Sequence, residues 1–301
     1  MNDFLEFFQK QYDEANDNGE CRRIFHGRGQ LFSGLDFFNI DLYHPVVFIS
    51  LFKTTPFEGI LKEVIDIIGK NTPLVVQSRV DGKISREFYG DELPHPHVVC
   101  ENGLKYLVDL SSNQNTGLFL DMKEGRSWLR AIAKEKDILN LFSYTCSLSV
   151  AAKAGGANKV VNIDQKKSFL SIGRENHRLN DLDESITYRN WDALKSMNQI
   201  GRYGPFDLIF CDPPSNQGKS FFYKRDYKKL IRKGGRLLKE NGLFVACLNT
   251  PFESIEFLKT LFSEDEGQWR LLEVMYSSAD FQEADCEQGL KITVFKRIND
   301  L

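Results

Sequence analysis

The chain contains no C-x-x-C pair. Its six cysteines, Cys21, Cys100, Cys146, Cys211, Cys247 and Cys286, are dispersed along 301 residues, a spacing that argues against a metal cage or a disulfide framework and predicts reduced thiols. Also missing is any apolar run of membrane-spanning length, and the opening Met1-Asn2-Asp3-Phe4-Leu5-Glu6 lacks the basic region and apolar stretch of a signal peptide. These absences predict a cytoplasmic protein with no metal and no membrane partner. Neither a G-x-G-x-x-G after the first strand of the main sheet nor a G-x-x-x-x-G-K-[ST] is present, which argues against dinucleotide and nucleoside-triphosphate sites. There is no internal repeat and no low-complexity tract.

What is present suits a globular protein. Apolar residues make up 42% of the chain, enough for one large or two moderate domains. The turn-rich segment Gly90-Asp91-Glu92-Leu93-Pro94-His95-Pro96-His97 predicts a boundary between a small α/β domain over 1–96 and a second domain over 97–301. Within the second, 104–110 and 116–121 read as a hairpin turning through Ser111 to Asn115. Strand patterns at 137–143, 159–164, 185–190, 207–212, 242–248, 269–277 and 290–296 then alternate with helical patterns at 147–154, 166–180, 222–239 and 252–262. This alternation predicts an α/β fold with a doubly wound, mostly parallel seven-stranded sheet. The last two strands lack an intervening helix, so one of them is expected to run antiparallel.

Such sheets bind ligands at the carboxyl ends of their strands, and there the chain gathers polar groups. Phe206-Asp207-Leu208-Ile209-Phe210-Cys211 ends on Asp212-Pro213-Pro214-Ser215, a carboxylate beside two rigid prolines. Asn140-Leu141-Phe142-Ser143-Tyr144-Thr145-Cys146-Ser147 joins the first strand to its helix and offers backbone N–H groups. Asp164 ends the next strand, placed to accept from ribose hydroxyls. Trp191-Asp192 ends the third, where an indole and a carboxylate suit adenine and its amine. Singly, the carboxylates read equally as helix caps and Trp191 as packing. A ligand with ribose and adenine but no phosphates, such as S-adenosylmethionine, fits the set. Net charge is −3, yet nine cations cluster from Lys219 to Lys239, among them Lys224, Arg225, Lys228 and Lys229. They form either a solvated helix face or a phosphate-binding one. Arg22, Arg23, His26 and Arg28 offer a second contact surface of the same two readings.

Glu101-Asn102-Gly103-Leu104-Lys105-Tyr106-Leu107-Val108, Thr116-Gly117-Leu118-Phe119-Leu120-Asp121, Asn140 to Thr145 and Asp212 to Ser215 together resemble the bacterial large-subunit ribosomal RNA methyltransferases over about residues 97 to 250. The 7-methylguanosine branch is nearer than the 5-methylcytosine branch. The resemblance implies a Rossmann-like class I methyltransferase that uses S-adenosylmethionine and acts on RNA. It further implies that Phe119, Asp121, Phe142, Tyr144, Asp164 and Asp192 surround the cofactor, and the strand-end positions of Asn140, Thr145, Ser147 and Trp191 add them to the candidate set. Asp212, Pro213, Pro214 and Ser215 would hold the target base, and Lys219, Lys224, Arg225, Lys228 and Lys229 would meet RNA phosphates.

Two positions depart from the family pattern. Cys146 stands where relatives usually carry Gly, and its side chain is expected to narrow the approach to the methionine moiety. Asn249, in Ala246-Cys247-Leu248-Asn249-Thr250, occupies the place of the cysteine used by the 5-methylcytosine branch. Methylation at carbon 5 of cytosine needs a thiolate to activate the ring, whereas guanine N7 already offers a lone pair. The expectation is therefore base methylation at guanine N7. A 5-methylcytosine enzyme, a protein or small-molecule methyltransferase and a noncatalytic RNA-binding module remain alternatives, and a homodimer stays open.

Overall fold

In the computed structural model, which describes residues 2–112, 114–182, 184–218, 220–265 and 268–298, the chain divides into two compact units. One comprises Met1–Asp121 with Ser278–Asp285, the other Met122–Ser277 with Cys286–Leu301.

The first unit contains α1 (Asn2–Asn18), β1 (Arg22–His26), β2 (Phe38–Tyr43), β3 (Val46–Leu51), α2 (Glu58–Ile68), β4 (Leu74–Val80), β5 (Lys83–Tyr89), β6 (His97–Glu101) and β7 (Leu104–Val108). Five strands form a sheet in the order β1-β2-β3-β4-β5. Only β3 and β4 pair in parallel, as the crossover through α2 requires. Apolar residues of α1 recur at helical spacing, Phe4, Phe8, Tyr12 and Ala15, and all four are buried in one cluster with Phe25, Phe38 and Ile40.

The second unit contains α3 (Lys123–Ile132), β8 (Asp137–Leu141), α4 (Ser147–Ala154), β9 (Lys159–Asp164), α5 (Lys167–Arg178), β10 (Ile186–Asn190), α6 (Met197–Ile200), β11 (Phe206–Cys211), β12 (Asn216–Gln217), β13 (Phe221–Phe222), α7 (Tyr223–Gly235), β14 (Leu238–Asn249), α8 (Ile255–Ser263), β15 (Gln268–Tyr276) and β16 (Leu290–Ile298). Its seven-stranded sheet has the order β10-β9-β8-β11-β14-β16-β15. The first five strands pair in parallel, and β16 is antiparallel to both its neighbours. The expected doubly wound sheet and its one reversed strand are thus present. Central strands are buried on both faces, Leu139, Ile209 and Phe244 in one cluster and Ile138, Phe210 and Val245 in the other, so they read as continuous apolar runs.

Several expectations are corrected. The hairpin is formed by β6 and β7 through Asn102 and Gly103, whose φ values of 51° and 73° make Asn-Gly the residue pair of choice for so tight a turn. Residues 116–121 add no strand, although Asp109 N–H donates to the Thr116 carbonyl at 2.8 Å. Of the turn read over Ser111 to Asn115, Asn113 lies outside the described residues. The hairpin belongs with the first unit, not the second. Cys21 N–H donates to the Cys100 carbonyl at 2.8 Å, and the Tyr43 hydroxyl lies 2.8 Å from Thr116 Oγ1. The basic helix is shorter than its charge run, ending at Gly235, and Phe252 precedes α8 in a turn.

Candidate active site

The loop from β8 to α4 is shaped by three left-handed residues, Phe142, Tyr144 and Cys146, with φ of 58°, 48° and 62°. A backbone that alternates in this way turns tightly and aims successive N–H groups in different directions. Two of them have partners on β9: Ser143 N–H donates to the Ile163 carbonyl at 3.0 Å, and Tyr144 N–H to Asp164 Oδ2 at 2.9 Å. The other oxygen of Asp164 accepts from Lys166 N–H at 2.8 Å. One carboxylate thereby pins two strand-end loops. Burial raises the Asp164 pKa above the ordinary carboxylate value, against the lowering pull of the Lys166 and Tyr144 amides.

Cys146 does not narrow the strand end as expected. Its side chain is buried, with the thiol packed against α5 at Gly173, where an added Cβ would meet Sγ at 2.5 Å. Burial pushes the thiol up to about 12, so it is a neutral packing group. Gly173→Ala is expected to destabilise the protein by about 1–3 kcal/mol through overpacking. Adding Cys146→Gly, which suits the positive φ, should restore most of that loss. Urea unfolding of the two single variants and the double variant measures the coupling; additive losses would show that the two residues do not compete for space.

Asn140 is drawn away from the strand end into a buried polar chain. Its Nδ2 donates to Asn162 Oδ1, and Asn162 Nδ2 donates to Ser149 Oγ, each at 2.9 Å. His177 Nδ1 lies 2.7 Å from the Gly173 carbonyl, which only accepts, so Nδ1 carries the proton and Nε2 accepts from the Ser149 hydroxyl at 2.9 Å. The Tyr188 hydroxyl lies 2.9 Å from the same Nδ1. Burial lowers the His177 pKa from 6.5 to about 4. The unfolded chain therefore takes up a proton first: the stabilisation is complete above pH 6.5 and disappears as pH falls through 4. It amounts to on the order of 3 kcal/mol. NMR titration should find this imidazole still neutral at pH 5; a midpoint near 6.5 would refute the assignment.

Thr145 is also buried, and its carbonyl accepts from Asn176 Nδ2 at 2.9 Å. Ser147 opens α4, with its hydroxyl 3.5 Å from Arg126 Nη1. Trp191 is half-buried, its ring centroid 6.2 Å from that of Tyr203, and Asp192 Oδ1 accepts from Lys195 N–H at 3.1 Å. Phe119 and Asp121 belong to the first unit, where the Phe119 ring is exposed and the Asp121 charge raises the Arg23 pKa together with Asp41, against desolvation.

At the end of β11, Asp212 is partly buried, Pro213 buried and Pro214 exposed. The Ser215 hydroxyl donates to the Asn249 carbonyl at 2.8 Å, tying this loop to the end of β14. The short β12–β13 hairpin follows, and its Phe221 ring packs 5.3 Å from Phe142. The β8–α4 loop and the segment that follows β11 are joined through these two rings.

Sequence reasoning missed the support beneath this corner. Lys291, fully buried in β16, donates to the carbonyls of Thr250 at 2.8 Å, Gly289 at 2.9 Å and Glu287 at 2.5 Å. Its ammonium fixes the turn after β14 on which Phe252 stands 82% exposed. A lone lysine inside the apolar run Leu290 to Phe295 was the available signal. Cys211 and Cys247 are both buried in the core, whereas Cys286 is exposed.

The basic run is more balanced than its sequence suggests. Lys224 pairs with Glu253 at 2.6 Å, Lys228 with Glu264 at 2.9 Å and Lys229 with Asp226 at 2.9 Å, and Arg225 also bonds Asp226. Hydrogen bonds from Arg225 first and Lys229 next hold the Asp226 carboxyl well below the usual carboxylate range, against desolvation. Lys219 lies outside the described residues. In the first unit Arg22 pairs with Asp280, Arg23 with Asp41 at 2.7 Å and His26 with Glu283 at 2.9 Å, which makes them internal struts rather than a contact surface.

Residues 22–296 match the family described as S-adenosylmethionine-dependent methyltransferase. The chain belongs to that family. This methyltransferase is 37% identical over 169 residues to "Ribosomal RNA large subunit methyltransferase K/L" of Psychrobacter, an alignment covering 54% of the chain but 21% of the relative. It is 27% identical over 294 residues to "Putative ribosomal RNA large subunit methyltransferase YwbD" of Bacillus subtilis, covering 89% and 72%. The methyltransferase thus spans about a fifth of the first of these relatives and most of the second. A solved "putative methyltransferase complexed with SAH" superposes with a TM-score of 0.85 at 28% identity, covering 98% of this chain and 81% of that one.

Proposed function

We propose that this methyltransferase modifies a base of large-subunit ribosomal RNA in the cytoplasm, with guanine N7 as the target atom. The observation that carries the reading is the loop Asp212 to Ser215, braced by the Ser215–Asn249 hydrogen bond at the end of β11, in a family that uses S-adenosylmethionine. The names of the relatives, given for ribosomal RNA methyltransferases, support the substrate class. Among the described helices none is long and apolar enough to cross a membrane.

The residues fit the cofactor. Asp164 is a half-buried acceptor whose two oxygens each take one backbone amide and keep lone pairs for ribose hydroxyls. Trp191 and Asp192 stand at the next strand end for the adenine. When bound, S-adenosylmethionine supplies an electrophilic methyl group on a sulfonium. Guanine N7 attacks with its own lone pair and becomes positively charged, so no base need remove a proton. Asp212 would accept from the guanine edge and offset that growing charge, the prolines would hold the geometry, and Phe252 would offer a stacking face. Asn249 and the burial of Cys247 favour this route over a thiolate route. Lys224, Arg225, Lys228, Lys229 and Lys219 would contribute phosphate contacts, in exchange for their carboxylate partners where these are present.

Nucleoside mass spectrometry of ribosomal RNA from cells with and without the gene tests the proposal. Loss of 7-methylguanosine at one site is expected. Unchanged ribosomal RNA in the deletion would refute it.

A further inference from the structure

The free edge of the second unit's sheet carries cations that the methyl-transfer chemistry does not use. Among the described strands β10 pairs with β9 alone, so one row of its backbone groups lies at the sheet edge. Against this edge lies a concavity of about 460 Å³ lined by Arg174, Arg178, Ile186, Thr187, Tyr188 and Arg189. The guanidinium groups of Arg174 and Arg178 rise from α5 on the Tyr188 side of the strand, whereas that of Arg189, the next residue, reaches Tyr203 on the opposite face, and none of the lining residues is acidic.

The cluster is held in place. Tyr188 is fixed by the contact of its hydroxyl with His177 Nδ1 at 2.9 Å, and the Arg174 guanidinium lies 4.6 Å above its ring. Arg189 donates from Nε to the Tyr203 hydroxyl at 2.7 Å and from Nη1 to the Tyr188 carbonyl at 3.1 Å. Arg178 pairs with Glu175 at 2.7 Å, but both side chains are at least half exposed, and such a pair is easily exchanged. Arg174 and Arg178 are one turn apart on α5, a spacing at which like charges repel. An anion between them relieves that repulsion, and guanidinium groups suit phosphate oxygens in particular. Lys224, Arg225, Lys228 and Lys229 of α7, by contrast, already face Asp226, Glu253 and Glu264.

We propose that this edge groove binds the phosphodiester backbone of the RNA substrate, outside the methyl-transfer site. The inference rests on the ribosomal RNA reading above. β10 is three strands from β11, about 14 Å at the usual strand spacing, so the groove would grip nucleotides flanking the one held at Asp212.

The test compares the full chain with its Arg174→Gln/Arg178→Gln variant, using protein-free large-subunit ribosomal RNA and fluorescence anisotropy from 50 to 200 mM KCl. Both side chains are exposed, so the fold should persist, as melting curves will verify. RNA affinity should fall about 5- to 10-fold at 100 mM, and the salt dependence should become shallower by about 1 in log–log slope. Cofactor affinity should hold, and in turnover assays KM should rise while kcat does not. A folded variant with unchanged RNA affinity and slope overturns the proposal. So does binding of inorganic phosphate that the variant loses while RNA affinity is kept, which would make the groove a small-anion site. If the variant loses RNA affinity but the wild type transfers no methyl group to this RNA, the groove assignment stands and the substrate reading falls.

Discussion

Replacing Asp212 by Ala is expected to lower single-turnover methyl transfer by about 10²–10³-fold, the range for losing one preorganised electrostatic contact to a reacting group. Cofactor affinity should change little, because the proposed cofactor contacts lie at other strand ends, those of β8, β9 and β10. The structure explains why the loop is sensitive. Pro213 holds Asp212 in an extended backbone, Ser215 is anchored on the Asn249 carbonyl, and Lys291 holds the neighbouring Thr250 carbonyl from inside the core. On the proposed reading, a carboxylate on so braced a loop needs no rearrangement to meet the base. Rapid-quench measurement at saturating cofactor separates this from weaker RNA binding: a loss confined to KM, with the transfer rate intact, would remove Asp212 from the chemical step.

Asp164→Ala should weaken S-adenosylmethionine binding by about 1.5–3 kcal/mol, or roughly 10- to 150-fold, the value of hydrogen bonds to a charged group. The same substitution frees the amides of Tyr144 and Lys166, so thermal stability should drop as well. Asp164→Asn is expected to fall between the two proteins, since its carbonyl oxygen can satisfy one amide while its NH₂ opposes the other. Calorimetry on folded variants decides the point. Unchanged affinity in Asp164→Ala would leave this carboxylate as a loop brace only.

Much of the fold was legible because its signals are local. Short apolar runs such as Leu208 to Cys211, alternating with helical patterns, suit the central strands of a parallel sheet. Local reading failed where distant segments decide. The hairpin was misplaced although Asn102-Gly103 was in view, since 104–110 pairs equally well in pattern with what precedes and follows it. Arg22, Arg23 and His26 looked like a surface until Asp280, Asp41 and Glu283 were found beside them. The α7 cations looked uncompensated because Glu253 and Glu264 come from later elements. Asn140 is polar at a strand end, yet its side chain turns inward, a matter of strand facing that a strand-end position does not reveal. Cys146 seemed an obstruction because its partner, Gly173, lies on another helix.

The most direct test of the central claim is transfer of a labelled methyl group from S-adenosylmethionine to large-subunit ribosomal RNA from a deletion strain, followed by identification of the modified nucleoside. The account predicts 7-methylguanosine, formed equally well by the Cys247→Ser and Cys286→Ser proteins. Formation of 5-methylcytosine that either substitution abolishes in a folded protein would contradict it.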